Sequence, residues 1–284
     1  MADPEVEEGL GRRDGLPDGS ANPGGTTASQ DAGAVPPGDL DVGPYPRSFY
    51  DEETAAGESS SREVVGLLLE LLAPRSVVDV GCGTGAFLRE FRDRGMTDYL
   101  GIEGPWVAPM EMLVDRSTVL FRDLNRPVEV DRSFDLALCL EVAEHLDAAS
   151  ADGLVDLLVR LAPVIAFSAA VPFQHGSHHV NLRWPAYWQA KFRRRGYVPV
   201  DCLRRRLSRR RGVSQFYVQN VVLYVREDAF ACDRRLAALE TERVRLVPVY
   251  LYSPGNPRMS HFLNLAPSPF REGLYVAFHW AGIV

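Results

Sequence analysis

The stretch VVDVGCGTGAFL, Val77 to Leu88, decides how the rest of the chain is read. β-Branched residues lead to an acid, Asp79, and glycine then stands at every second position: Gly81, Gly83 and Gly85. The apolar run predicts a buried strand. The TGAFLREFRDRG that follows predicts an amphipathic helix opening at Thr84 and stopping at Gly95. Strand, glycine turn and helix together suit a ligand. No Cβ keeps it from the main chain, and the first helical turn offers unpaired N–H groups.

Outward from this stretch the chain alternates. SREVVGLLLELLAP reads as a helix with Ser61 at a plausible N-cap and Pro74 as terminator. DYLGIEG is a second strand, closing on Glu103, and STVLFRDL a third. SFDLALCLEV is a fourth, apolar on both faces, as a central parallel strand is. AADGLVDLLVRLAP is a helix, VIAFSAAVP a strand and WPAYWQAKFRRRGY a helix ending at Gly196. VSQFYVQNVVLYV reads as a final, strongly β-forming strand. Alternating β and α elements predict an α/β fold, a mostly parallel sheet with helices on both faces, whose ligands bind at the carboxyl ends of the strands. Residues 1–44 are rich in Gly, Pro, Asp, Ala and Ser and are expected to be a disordered tail. Residues 45–225 form the expected main domain. Residues 226–284 form an appendage, with one helix across REDAFACDRRLAALETERVR and then Pro-rich pieces.

The bulk numbers exclude several classes. A net charge of −7 provides no field for nucleic acid. The four cysteines, Cys82, Cys139, Cys202 and Cys232, form no CxxC pair and read as reduced thiols. The charged MADPEVEEGLGRRDG start has no apolar signal region, and no run reaches the ~20 apolar residues of a membrane span. The expected location is cytoplasmic.

Two ligand classes fit the glycine turn, a dinucleotide and S-adenosylmethionine. GCGTGA can be set against the nicotinamide pattern GxGxxA, with Glu103 about 20 residues on for a ribose. Asp79 decides between them: a pyrophosphate would be repelled by it, whereas the ammonium of a methionine moiety would be attracted. Asp79-x-Gly81-x-Gly83-x-Gly85 resembles the first motif of class I S-adenosylmethionine-dependent methyltransferases, and the likeness extends from about Tyr45 to Val225. It implies a Rossmann-like seven-stranded sheet. It also implies a cofactor site of Asp79, Gly81, Cys82, Gly83, Gly85, Glu103, Asp123, Leu124 and Glu141. There Asp79 serves the methionine end and Glu103 the ribose hydroxyls, while Asp123 in FRDLN accepts from the adenine amino group and the Leu124 N–H reaches a ring nitrogen.

Methyl transfer to an alcohol needs its proton removed, by a base or with a metal's help. EVAEHL supplies Glu141, Glu144 and His145 where the fourth strand ends. On a helical turn these three would share one face. ExxEH followed by a later His also resembles metal-assisted groups, the small-RNA 3′-terminal 2′-O-methyltransferases and the ubiquinone-biosynthesis O-methyltransferases. In those the last ligand follows the fifth strand, where this chain has His175, His178 and His179; the position before VN favours His179. Three readings stay open: Mg²⁺ or another divalent cation held by Glu141, Glu144, His145 and His179; a metal-free base, His145 or His179, with Glu144 beside it; or a solvated turn.

The HVN…WPAYWQAKFRRRGY pattern resembles bacterial methyltransferases of sugar and natural-product pathways. Leu182 and Leu207 stand where that set usually carries an acid and a Trp. No [DN]PP[YFW] motif follows the fourth strand, which speaks against methylation of a planar nitrogen. KFRRRGY and LRRRLSRRRG form a basic cluster that reads either as a phosphate receiver or as a solvated face. The expected function is O-methylation of a small hydroxylated acceptor, a sugar or secondary metabolite, in free or phosphorylated form. The alternatives are a terminal-ribose RNA 2′-O-methyltransferase and a non-catalytic cofactor-binding interaction protein.

Overall fold

The structure is a computed structural model that describes residues 47–244 apart from 173, 175 and 177, with two further strands at 249–253 and 256–262. The tail expected over residues 1–44, and His175, lie outside the described residues. Helix α1 (Arg47–Leu72) leads into β1 (Ser76–Val80), α2 (Ala86–Asp93), β2 (Asp98–Glu103), β3 (Val119–Phe121) and β4 (Leu136–Leu140). Then come α3 (Ala151–Leu161), β5 (Val164–Ser168), α4 (Pro185–Arg193), β6 (Tyr197–Val200), α5 (Arg204–Leu207), α6 (Gln215–Asn220) and β7 (Val222–Arg226). Two short helices, α7 (Ala229–Cys232) and α8 (Arg234–Leu239), precede a hairpin of β8 (Val249–Ser253) and β9 (Asn256–Phe262).

Seven strands form one sheet in the order β3-β2-β1-β4-β5-β7-β6, with β7 antiparallel to both its neighbours and the remaining pairs parallel. This is the Rossmann-like α/β sheet expected from the alternation. Strand order reverses between β1 and β4, so a crevice opens where those two carboxyl ends diverge. Alternate side chains of each strand enter opposite cores. Val77 of β1 and Leu136, Leu138 and Leu140 of β4 pack with Val64 and Leu68 of α1 and Leu88 and Phe91 of α2. Val78, Val80, Ala137 and Cys139 pack with Leu154 and Leu158 of α3 and Trp188 and Phe192 of α4. Burial of both faces is why these strands read as continuous apolar runs.

Four local readings change. α1 begins at Arg47 rather than near Ser61, and Ser60 and Ser61 are buried inside it. The serines hold a neighbouring segment: Ser59 Oγ donates to the Gly212 carbonyl at 2.7 Å, and Ser60 Oγ accepts from the Ser214 N–H at 2.9 Å. VSQFYVQNVVLYV is a helix and then a strand. Ser214 caps α6 by accepting from Phe216 N–H, and Tyr217 and Val218 are buried by packing that overrides their β preference. YVPV is the edge strand β6, the one place where Pro199 costs no ladder bond to a second neighbour. The helix expected across residues 226–245 breaks at Asp233, whose extended backbone and side-chain bond to Arg235 N–H start α8 afresh. Among the described residues no helix is long and apolar enough to cross a membrane.

Candidate functional site

The glycine turn folds back onto β2. Gly81 N–H and Cys82 N–H both donate to the Ile102 carbonyl, at 2.8 and 3.3 Å. Gly81 has φ +80°, and a Cβ there would lie 2.3 Å from Val142, so the turn touches the segment after β4. Gly83, at φ +54°, differs: a Cβ there would meet nothing within 4 Å. The space over Gly83 is the cradle a cofactor needs. Gly85 caps α2, and Cys82 is buried, with its Sγ where a Cβ on Gly101 would fall.

Two acids face this crevice. Glu103 bridges it, accepting from Gly83 N–H at 2.6 Å and from Gly104 N–H at 2.7 Å. Burial raises its pKa against the lowering effect of those two bonds. Asp79 is buried, and burial, with the Glu103 charge second, pushes its carboxyl up to about 7. No hydrogen bond or ion pair of the Asp79 carboxyl is found among the described residues. An unpaired buried carboxyl wants a cation, and the ammonium of S-adenosylmethionine is one. Beyond Glu103, Trp106 lies so close that a Cβ on Gly104 would be 2.2 Å from its ring. Its indole Nε1 is buried without a partner among the described residues. The sequence reading passed over Trp106, although GPW after an acid-ended strand was a signal for an aromatic wall. Asp123 follows β3 and accepts from Asn125 N–H at 2.9 Å, with Leu124 buried beside it. The donor set, the open cradle and the unpaired acid fit S-adenosylmethionine.

The second half of the crevice is built after β4 and β5. Residues 141–147 form turns, not helix, so the shared helical face expected of Glu141, Glu144 and His145 does not exist. Glu141 sits at φ +54°. Its N–H donates to the Ser168 carbonyl at 3.1 Å, and its carboxylate accepts from Asn220 Nδ2 and Gln174 Nε2, both at 3.2 Å. Its carboxyl adjoins that of Glu144 but is not part of the group formed by Glu144, His145 and His179, whose ligand-type atoms lie within 4.8 Å of one another. His145 and His179 meet edge to face at 4.9 Å. Glu144 is fully buried; its Oε1 accepts from Ala170 N–H at 3.0 Å, while Oε2 accepts no hydrogen bond among the described residues. Burial first, then the charge of Glu141, pushes its pKa well up.

Each imidazole is oriented by a carbonyl. His179 Nδ1 lies 3.3 Å from the Gln174 carbonyl, and His145 bonds the His178 backbone. With Nδ1–H donated in this way, His179 keeps Nε2 free for a proton or a cation. Burial lowers the pKa of both; His145, with His179 beside it as second cause, falls to about 4. Both rings are therefore neutral at pH 7, the state a base or a metal ligand requires. One carboxyl, which a bound cation would ionise, and two neutral imidazoles fit a divalent transition cation better than Mg²⁺, which prefers all-oxygen ligation.

Gln174 and Asn220 were not singled out from the sequence. Gln174 Oε1 also accepts from Asn220 Nδ2 and Gln219 Nε2, at 3.0 and 3.3 Å, so it knots the β5 loop to the end of α6. His178 is exposed. The basic cluster divides: Arg193, Arg194, Arg205, Arg209 and Arg211 are exposed, and the others are paired. Lys191 pairs with Asp152, Arg195 with Asp152 and Asp156, and buried Arg204 with Asp201. Arg206 pairs with Glu242, and Arg210 with Glu63 and Glu70.

The sequence matches the model of a family described as a methyltransferase domain, over residues 53–208. No curated protein sequence matches it. Among solved structures, the sugar N-methyltransferase KedS8 of a Streptoalloteichus species is 18% identical, with 73% of this chain and 99% of that one aligned at a TM-score of 0.50. CalS10, an amino pentose methyltransferase of Micromonospora echinaspora, is 14% identical over 62% of this chain and 96% of that one, at 0.45. The methyltransferase domain of bacterial CtHen1-C is 15% identical over 60% and 98%, also at 0.45. At 18% identity the likeness to KedS8 speaks for the fold alone. More than half of the chain falls within the family match, and the sheet order and acid-flanked glycine turn agree with it: the chain belongs to the methyltransferase-domain family and is a class I S-adenosylmethionine-dependent methyltransferase.

Proposed function

We propose that the chain methylates a hydroxyl oxygen of a small acceptor, a sugar or secondary metabolite, with residues 45–225 as the catalytic domain. The observation that carries this reading is the grouping of Glu144, His145 and His179 at the carboxyl ends of β4 and β5, beside the glycine cradle. Bound S-adenosylmethionine would supply a methyl group on a positively charged sulfur. Asp79 would hold its ammonium, Glu103 its ribose and Asp123 its adenine. Displacement at that methyl group needs an acceptor oxygen in line with the sulfur and free of its proton. His179 Nε2, released by the Nδ1 bond to Gln174, can take that proton, and His145 can serve in the same way. A divalent cation held by Glu144, His145 and His179 would acidify the hydroxyl. Glu141 would stand behind the group, kept in place by Asn220 and Gln174.

The test is turnover of S-adenosylmethionine against sugars, amino sugars and phenols, with and without a chelator. Methylation of oxygen supports the proposal, and methylation of amines alone sinks it. Loss of turnover after chelation, restored by Mn²⁺ or Zn²⁺, selects the metal; full activity in the chelator selects the histidine base.

A further inference from the structure

We propose that Arg183 receives an anionic group of the acceptor, a phosphate or a carboxylate, so that the preferred substrate is an acidic small molecule. This rests on the acceptor site described above.

Arg183 differs from the paired arginines of the basic cluster: Arg195, Arg204, Arg206 and Arg210 are occupied by carboxylates. Arg183 is exposed and has no acid partner among the described residues. It is nevertheless held still. Its Nε donates to Asn181 Oδ1 at 2.9 Å, and its guanidinium lies over the Tyr187 ring at 5.1 Å. With Nε engaged and one face covered, the two terminal nitrogens remain as a fork. That edge pairs with two oxygens of a phosphate or carboxylate. A side chain already ordered loses less freedom on binding than a loose surface arginine.

The same asparagine ties this fork to the reacting end. Asn181 is buried; its N–H donates to the Glu144 carbonyl at 2.9 Å, and its Nδ2 donates to the Ala143 carbonyl at 3.3 Å. Arg183 is therefore two hydrogen bonds from the turn that carries Glu144 and His145, and four residues from His179. Between His179 and Asn181 stands Val180, the one large hydrophobic counted as exposed among the described residues, at 63%. Its N–H also bonds the Glu144 carbonyl, so its side chain cannot turn in without breaking the clasp. An acceptor with a C–H-rich ring over Val180, a hydroxyl at the imidazoles and an acidic substituent at Arg183 satisfies all three.

Binding to enzyme loaded with S-adenosylhomocysteine tests this without turnover. The probes are glucose 1-phosphate, glucuronate and neutral methyl glucoside, followed by calorimetry at low salt. The anionic sugars should bind at least about tenfold tighter than the neutral one, as a charge-assisted pair requires. Arg183→Gln should erase that preference while S-adenosylhomocysteine affinity and melting temperature stay as in wild type, and Arg183→Lys should restore only part of it. The phosphate and carboxylate arms show which acid is preferred. Absence of any charge preference, including binding of none of the probes, overturns the proposal, as does a preference untouched by Arg183→Gln. Tighter, salt-dependent binding of a short RNA would move the fork to nucleic acid and overturn the small-molecule reading. The hydroxyl reading fails on a separate result, methyl transfer to an amine, which leaves the charge preference intact.

Discussion

The two halves of the crevice are made differently. The cofactor half, at the ends of β1 and β2, comes from a short run of chain. It is left open: nothing stands over Gly83, and Asp79 lacks a partner among the described residues. The acceptor half, at the ends of β4 and β5, draws on segments far apart in sequence and is cross-bonded throughout by Glu141, Gln174, Asn181 and Asn220. An open half can take its ligand without rearranging. A knotted half holds side chains in place before the ligand arrives, which is what orientation of an acceptor demands.

Four experiments can break or sharpen this contrast, the largest effect first. His145→Ala or His179→Ala should lower kcat by roughly 10²–10⁴-fold, the scale of acid–base catalysis, and leave S-adenosylhomocysteine affinity unchanged. Loss of cofactor binding in either variant would show that the halves are not separate. Gly83→Val should weaken S-adenosylhomocysteine binding by at least roughly 100-fold, because its side chain enters the cradle. Strain at positive φ should cost only about 1–2 kcal/mol of stability. Gly81→Ala is the control, since its Cβ meets Val142 at 2.3 Å and should unsettle the fold itself. Equal melting temperatures for the two variants would contradict the described turn.

Asn220→Ala should lower kcat by roughly tenfold, on the scale of one lost hydrogen bond to a charged group, and shift the pH–rate profile. A merely structural role would lower the melting temperature and leave the profile where it was. The smallest effect concerns Asp79, whose carboxyl stands at about 7 before the cofactor arrives. Ionised Asp79 binds the ammonium, so affinity for S-adenosylhomocysteine should fall as pH drops below 7, by up to about tenfold per unit. The stability sign is opposite. A carboxyl whose folded pKa is raised contributes stability below its unfolded pKa, near 4, and loses it as pH rises through 7. Asp79→Asn should therefore bind cofactor poorly yet melt higher than wild type at pH 8, by about 2–4 °C per kcal/mol gained. An unchanged melting temperature would mean that Asp79 is not strained in the free enzyme.

The same division explains what the sequence could reveal. Asp79, Gly81, Gly83 and Glu103 were legible because strand, turn and acid are local features with fixed spacing. His145 was legible from its place after the fourth strand, His179 only by resemblance. Their meeting depends on Asn181 clasping the Glu144 turn, a contact between distant segments. The Glu141 reading assumed a helical turn, and no periodicity could foretell a non-glycine residue at φ +54°. Pro199 hid β6 because a proline counts against a strand until its edge position is known. Arg206 and Arg210 looked free because their acids, Glu63, Glu70 and Glu242, lie far off in sequence.

The serines of α1 bear on how this enzyme can be shortened. A version trimmed to begin at Ser61, where the amphipathic pattern first becomes clear, would keep every motif and every strand. It would strip the Gly212 carbonyl and the Ser214 amide of their partners, and Ser214 is the residue that starts α6. At its far end α6 carries Asn220, against Glu141. Damage done by the trimming would thus surface in the acceptor half, as slow catalysis in a protein that still takes up its cofactor.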